Sequence, residues 1–395
     1  MVKKLHRILA EAAVEILRSI FEEGMVADRA VARALGANPK WGKRDRALVA
    51  ETVYEIVRWR RKLAILAGAE DAWALAGFWW EQKGFDRPDW APWPMFSMET
   101  INLRQQTLER MPRAVRFSLS DEFDALGETA LDERWEVELA AMNRAAPVFL
   151  RVNPRRGHLA SVRAELEAAG VMVELVEACP LGLRVLPGKA VPAALRESGR
   201  FEIQDAASQQ VAPFLQVEPG MRVVDACAGA GGKTLHLAAL MEGKGDLLAM
   251  DVQERQLETL RARAARAKVK VRTALISGDT PGLMAGQADR VLVDAPCSGS
   301  GTLRRQADLK YRITAASLAA VRAVQQEVLA RCAPLVKPGG KLVYATCSIL
   351  PCENESQTAW FSQTYPGFIL EAESRLSPAE TGWDGFYMAR WRREE

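Results

Sequence analysis

Arg222-Val223-Val224-Asp225-Ala226-Cys227-Ala228-Gly229-Ala230-Gly231-Gly232-Lys233-Thr234 runs a short apolar strand into a glycine-rich turn, and a helical pattern follows over residues 233–241. Strand, glycine turn and helix in that order open an α/β unit in which the chain can bring its backbone close to a ligand. Outward from this unit the alternation continues. Strands are expected over 246–250, 271–276, 290–293 and 341–345, with helices over 254–267, 315–335 and 353–364. Lys337-Pro338-Gly339-Gly340 reads as the stop of the long helix, and strands over 368–371 and 385–391 close the pattern. Such alternation predicts a Rossmann-like parallel sheet with helices on both faces.

The glycine turn admits three readings. A phosphate-binding loop requires Gly-x-x-x-x-Gly-Lys-Thr, and Gly232-Lys233-Thr234 fits its end, but the first glycine position holds Cys227. The dinucleotide pattern Gly-x-Gly-x-x-Gly begins at Gly229 and Gly231 but meets Thr234 at its last position. The third reading is an S-adenosylmethionine loop over Cys227, Ala228, Gly229, Ala230, Gly231, Gly232 and Lys233. Asp251 stands at the end of the second strand, where an acid can accept from ribose hydroxyls. Asp279, after the third strand, reads either as an acceptor for the adenine amino group or as a cap of the turn Gly278-Asp279-Thr280-Pro281. Asp294 closes a fourth strand, and the ordered set Asp225, Asp251, Asp279, Asp294 favours the third reading.

Two cysteines stand at strand ends fifty residues apart, Cys297 in Asp294-Ala295-Pro296-Cys297-Ser298-Gly299 and Cys347 in Tyr344-Ala345-Thr346-Cys347-Ser348. The carboxyl ends of strands are where open α/β sheets place their sites. A thiol there suits covalent catalysis. Carbon 5 of a pyrimidine is a poor nucleophile, and thiolate addition at carbon 6 makes it enamine-like. A carboxyl group near ring nitrogen 3, for which Asp294 is placed, stabilises the charge that develops. Basic residues favour the thiolate, and Lys233 is the candidate. Cys179 and Cys332 read as packing, Cys227 as part of the loop and Cys352 as a bystander at a helix start.

The chain has 395 residues, too many for one core, and a net charge of only +3. The charge is unevenly spread, because residues 1–66 carry 14 Lys/Arg against 8 Asp/Glu. A basic helical segment of this kind is a candidate nucleic-acid surface. Six scattered cysteines and three scattered histidines make neither a disulfide scaffold nor a zinc site, so no metal is expected. No apolar run approaches the roughly 20 residues that span a bilayer, and no apolar segment follows the basic start. A soluble, cytoplasmic protein is expected.

Upstream of residue 145 the pattern is all-helical, with helices over 6–23, 26–35, 44–66, 99–110 and 131–144. Trp73, Trp79, Trp80, Trp90 and Trp93 read as buried helix contacts. A small α+β module follows over 146–200, with strands at 148–153, 171–176 and 183–186 and a helix at 158–169, and residues 201–217 read as a linker. Three domains are therefore expected: all-α over 1–145, α+β over 146–200 and Rossmann-like over 201–395.

At its motifs the chain resembles the RsmB/NSUN (Sun) family of RNA cytosine-5 methyltransferases. The carriers are Asp225 to Thr234, Asp294-Ala-Pro-Cys297-Ser-Gly-Ser-Gly-Thr-Leu-Arg304-Arg305, and Thr346-Cys347-Ser348. Leu150-Arg151-Val152-Asn153 and Gln204-Asp205-Ala206-Ala207-Ser208-Gln209 also resemble family segments, and the helical start looks like the NusB-like RNA-binding domain of the branch acting on 16S rRNA. The resemblance implies methyl transfer from S-adenosylmethionine to carbon 5 of a cytidine in small-subunit rRNA. It implies that Cys347 is the nucleophile and that Cys297 helps release the product. Motifs alone leave open a DNA enzyme with Cys297 as nucleophile, a nucleotide triphosphatase built on Gly232-Lys233-Thr234, and a non-catalytic RNA-binding factor. Arg304 and Arg305 read either as phosphate contacts or as a surface pair. Two departures stand out: Gly229-Ala230 replaces the family's Ala-Pro, and Cys352 replaces an acidic residue.

Overall fold

Apolar side chains at helical spacing build the first part of the chain. In Arg7–Phe21 the residues Leu9, Ala10, Ala13, Val14, Ile16 and Leu17 are buried along one face. The computed structural model describes residues 3–276 and 285–395, which divide into two units. The helical unit holds the residues up to Arg144 together with Leu303–Ala315; the second holds Ala145–Thr302 and Ala316–Glu395. Among the described residues, no helix is long and apolar enough to cross a membrane.

The helix expected over 44–66 is two, Lys43–Arg58 and Arg60–Ala67, broken at Trp59. The Arg58 carbonyl accepts from the Lys310 ammonium at 3.0 Å, and the Lys62 N–H donates to Ser118 Oγ at 2.9 Å. The single bond that would carry the helix through Trp59 is thus replaced at both ends. The tryptophans are core. Helix Ala72–Gln82, which the sequence pattern did not reveal, buries Trp79 and Trp80, and Trp80 donates to Thr52 Oγ1 at 3.0 Å. Trp93 packs on Gly77, where a Cβ would lie 2.2 Å from its ring, and stacks with Trp73 at 5.9 Å.

In the second unit, strands β1 (Val148–Val152), β2 (Val173–Leu175), β3 (Gly182–Val185) and β4 (Phe201–Ile203) form an antiparallel sheet in the order β2-β3-β1-β4. Residues 201–217 are therefore not a linker. Phe201–Ile203 pairs with β1, and Ala206–Phe214 is a helix. A three-residue edge strand is too short to show a period.

Seven further strands form the large sheet: β5 (Arg222–Asp225), β6 (Asp246–Asp251), β7 (Arg272–Leu275), β8 (Ala288–Asp294), β9 (Val336–Thr346), β10 (Phe368–Leu376) and β11 (Phe386–Arg393). Their order is β10-β11-β9-β8-β5-β6-β7. Strands β7, β6, β5, β8 and β9 are parallel, and β11 enters antiparallel between β9 and β10. Lys337-Pro338-Gly339-Gly340 does not separate helix from strand as expected. It bulges within β9, whose register against β8 jumps between Ala288 and Arg290, and Gly339 takes φ +69°. The order reverses at β5, which lies between β6 and β8, and this switch opens a crevice at the strands' carboxyl ends.

Candidate active site

The crevice is a cleft of about 330 Å³ whose lining includes Cys227, Gly229, Met250, Asp251, Gln253, Ile276 and Asp294. Its floor is the glycine turn. Gly231 takes φ +86° as it caps helix Gly232–Leu240, and a Cβ there would stand 2.6 Å from Leu260 Cγ. Gly229 takes φ +50°, and no protein atom lies within 4 Å of where its Cβ would be. The space above Gly229 belongs to the cleft, so a ligand can rest on bare backbone there.

Asp251 organises this turn. Its Oδ2 accepts from the Gly229 N–H at 2.8 Å and its Oδ1 from the Gln253 N–H at 2.8 Å. Each oxygen keeps a lone pair for a ligand hydroxyl. The turn is also held from outside the cleft. Arg263 donates to the Ala230 carbonyl at 2.7 Å, and the fully buried Arg151 of β1 donates to the Gly232 carbonyl at 3.3 Å and to Gln204 Oε1 at 2.6 Å. Ala228 packs into the core beside Leu235 and Leu260 rather than facing the cleft. Asp225 is buried and accepts from Thr234 Oγ1 at 2.7 Å; burial pushes its carboxyl up to about 7. Asp279 lies outside the described residues. The cleft also has an apolar wall of Val252, Val324 and Val328 that the motifs did not disclose.

Beside the cleft stand the thiols. Cys297 Sγ and Cys347 Sγ are 3.3 Å apart, brought together because β8 and β9 are parallel neighbours. Lys233 donates to Asp294 Oδ2 at 2.7 Å. Burial pulls the Lys233 ammonium down, but the charge and hydrogen bond of Asp294, with the Cys347 sulfur, outweigh it and hold its pKa above the ordinary lysine value. The hydrogen bond to Cys347, then burial, push the Cys297 thiol well up. Cys179 and Cys332, expected as packing, are buried, and burial raises their thiols to about 11 and about 12. Arg304 is not a surface residue. It is buried in the helical unit, and its carbonyl accepts from Arg58 at 2.9 Å.

A seven-stranded sheet in this order, with a glycine turn and an acid at its switch point, defines a Rossmann-like methyltransferase. Two family models match: "16S rRNA methyltransferase RsmB/F" over residues 212–392 and "Methyltr_RsmF/B-like, ferredoxin-like domain" over 127–192. The chain belongs to the RsmB/F methyltransferase family. It is similar to ribosomal RNA small subunit methyltransferase B of Enterobacter sp. (strain 638), 34% identical over 67% of this chain and 64% of that protein. The probable ribosomal RNA small subunit methyltransferase B of Bacillus subtilis is 31% identical over 69% of this chain and 64% of that protein. The match thus spans less than two thirds of each relative's length. Among solved structures, that of PH0851 is 25% identical with a TM-score of 0.79, covering the whole of both chains. A methyltransferase homolog protein from Pyrococcus horikoshii is 27% identical with a TM-score of 0.63, covering 71% of this chain and 97% of that one.

Proposed function

We propose that this chain is an S-adenosylmethionine-dependent RNA cytosine-5 methyltransferase acting on small-subunit rRNA. The observation that carries the reading is the pair of thiols 3.3 Å apart beside the Lys233–Asp294 pair at the cleft. The names of the relatives support the RNA substrate, and the basic residues of the helical unit, in this reading a NusB-like domain, supply the attraction for it. The cleft suits the cofactor. Asp251 would hold the ribose and the Gly229–Gly232 backbone would accept close approach, while Val252, Ile276 and Val328 offer an apolar bed for a base. When bound, S-adenosylmethionine supplies an electrophilic methyl group.

Cys347 adds as thiolate to carbon 6 of the cytosine, forming a C–S bond and pushing electron density onto carbon 5 and ring nitrogen 3. Asp294 faces the nitrogen. A bare carboxylate would repel the developing charge; the Lys233 ammonium neutralises the pair and sets a positive charge beside the ring that offsets the charge gathering there. After methylation, carbon 5 carries both the methyl group and its original hydrogen. Cys297 assists release: the carbon 5 proton must leave to a base before the C–S bond to Cys347 can break. The target base must stand outside any stack to reach the sulfur, which favours unpaired RNA.

The test incubates the protein with rRNA and methyl-labelled S-adenosylmethionine and resolves the nucleosides after digestion. Label in 5-methylcytidine is expected. Label in any other nucleoside, or none with both naked rRNA and small-subunit particles, overturns the reading.

A further inference from the structure

Each of the two thiols is followed directly by a serine, Ser298 after Cys297 and Ser348 after Cys347. Both serines end on one carboxylate. Glu353 sits in the turn Pro351–Glu353 and is fully buried. Its Oε1 accepts from the Ser298 N–H at 2.7 Å and from Gln325 Nε2 at 3.2 Å. Its Oε2 accepts from the Ser298 hydroxyl at 2.5 Å and the Ser348 hydroxyl at 2.6 Å. A buried carboxylate is tolerated when its lone pairs are met in this way.

The hydroxyl directions follow from this. Ser348 gives its one proton to Glu353, so in its 2.8 Å contact with Ser300 the donor is Ser300. Ser300 in turn accepts from the Ile349 N–H at 3.1 Å. The Cys347 carbonyl accepts from the Gly301 N–H at 3.0 Å. The loop after β8 and the loop after β9 are therefore laced together around a single acid.

We propose that Glu353 is the positioning residue of this site: by tying the residue after each thiol to one buried point, its carboxylate sets the distance between Cys297 and Cys347. The role in catalysis rests on the function proposed above; the geometric role does not. The Glu353 charge also adds to the Cys347 hydrogen bond and burial that raise the Cys297 thiol, whereas Lys233 interacts with the sulfur of Cys347.

The experiment uses the full chain, its Glu353→Gln variant and the milder Ser298→Ala. Diamide takes two electrons and two protons from a neighbouring thiol pair, leaving a disulfide and the reduced hydrazine. The closure rate of the Cys297–Cys347 bond, followed by peptide mass spectrometry, therefore reports their alignment. Glu353→Gln is expected to slow closure about tenfold or more, since alignment is what makes such a reaction effectively intramolecular, and Ser298→Ala to slow it less. In methyl transfer, kcat should fall in the same order while the KM for S-adenosylmethionine stays within about twofold. Closure and kcat unchanged in both variants would overturn the proposal. So would a parallel loss of kcat, cofactor affinity and melting temperature, which marks a plain packing role. If the unaltered chain makes no 5-methylcytidine, the proposed function fails, and the closure rates still decide whether Glu353 positions the thiols.

Discussion

Both oxygens of Asp251 accept backbone N–H groups, from Gly229 and Gln253, which makes the site unusually intolerant of an amide. Asparagine would have to turn its NH₂ against one of those N–H groups, with donor facing donor. Asp251→Asn should therefore weaken S-adenosylhomocysteine almost as much as Asp251→Ala, by at least about tenfold, since charge-assisted bonds are worth roughly 1.5–3 kcal/mol each. Calorimetry checks this, and wild-type affinity in the asparagine variant would remove Asp251 from the cofactor site. Asp225 gives a prediction of a different kind. Burial pushes its carboxyl up to about 7, so at mildly acidic pH the folded chain keeps a proton that the unfolded chain has released. That contribution is complete below the unfolded carboxyl's pKa and is lost as pH rises through about 7. Asp225→Asn, which still accepts from Thr234, should gain stability relative to the unaltered chain as pH goes from about 5 to 8. The gain should be a few kcal/mol at most, at about 1.4 kcal/mol per pKa unit. Thermal melts across that range test it, and a constant difference would mean that Asp225 is ionised throughout. The thiols should fail differently. Cys347→Ala should form no covalent complex with RNA, whereas Cys297→Ala should stall after methyl transfer and carry RNA through denaturing electrophoresis. A band from the Cys347 variant alone would exchange the two roles. At this scale the strand-end positions of Asp225, Asp251 and Asp294 and of the two thiols were legible, because they sit in continuous motifs. Glu353 was not, since its partners lie at Ser298, Gln325 and Ser348, positions that only the fold brings together.

At the scale of elements, the parallel strands and their helices followed the sequence pattern closely, because each buried strand is a continuous apolar run between turn signals. The departures have specific causes. Helix Ala72–Gln82 is buried nearly all round, so it has no polar stripe to announce it. The break at Trp59 is imposed by Lys310 and Ser118, side chains far away in sequence. The cofactor turn shows the same dependence on distant groups. A proline next to the glycine would stiffen it, and this chain has Gly229-Ala230. Here the Ala230 carbonyl is held instead by Arg263, whose guanidinium is oriented by Glu202 at 2.7 Å. Arg263→Leu should loosen the turn and lower cofactor affinity severalfold, while Arg263→Lys, which can reach only one of the two acceptors at a time, should recover part of it. Equal affinity in all three chains would show that the turn stands without this support.

At the scale of the whole molecule, the chain divides at Arg144, where its composition changes, and also where no change of composition is seen. It leaves the methyltransferase unit after Thr302, contributes Leu303–Ala315 to the helical unit, and returns at Ala316. Leu303, Ala307, Lys310 and Ile313 are buried there. The Lys310 ammonium donates to the carbonyls of Arg58 and Phe117 and to the Asn143 side chain. No composition shift marks this segment, which is why a boundary near residue 145 looked sufficient from the sequence. Cutting the chain there would strip Leu303–Ala315 of its partners and confuse loss of RNA affinity with loss of structure. The contribution of the basic helices must be tested in the full chain. Lys40, Lys43 and Arg44 are exposed, lie around the start of one helix and form no ion pair among the described residues. Changing all three to glutamine should weaken binding of target RNA. It should also make the plot of log affinity against log salt shallower by about 2, since each phosphate contact contributes roughly 0.7 to the slope for a single strand. Affinity for S-adenosylhomocysteine should not change, because these residues are remote in the chain from the cleft lining. A salt slope equal to that of the unaltered chain would mean that these charges meet only water, and that the RNA is held by other parts of the molecule.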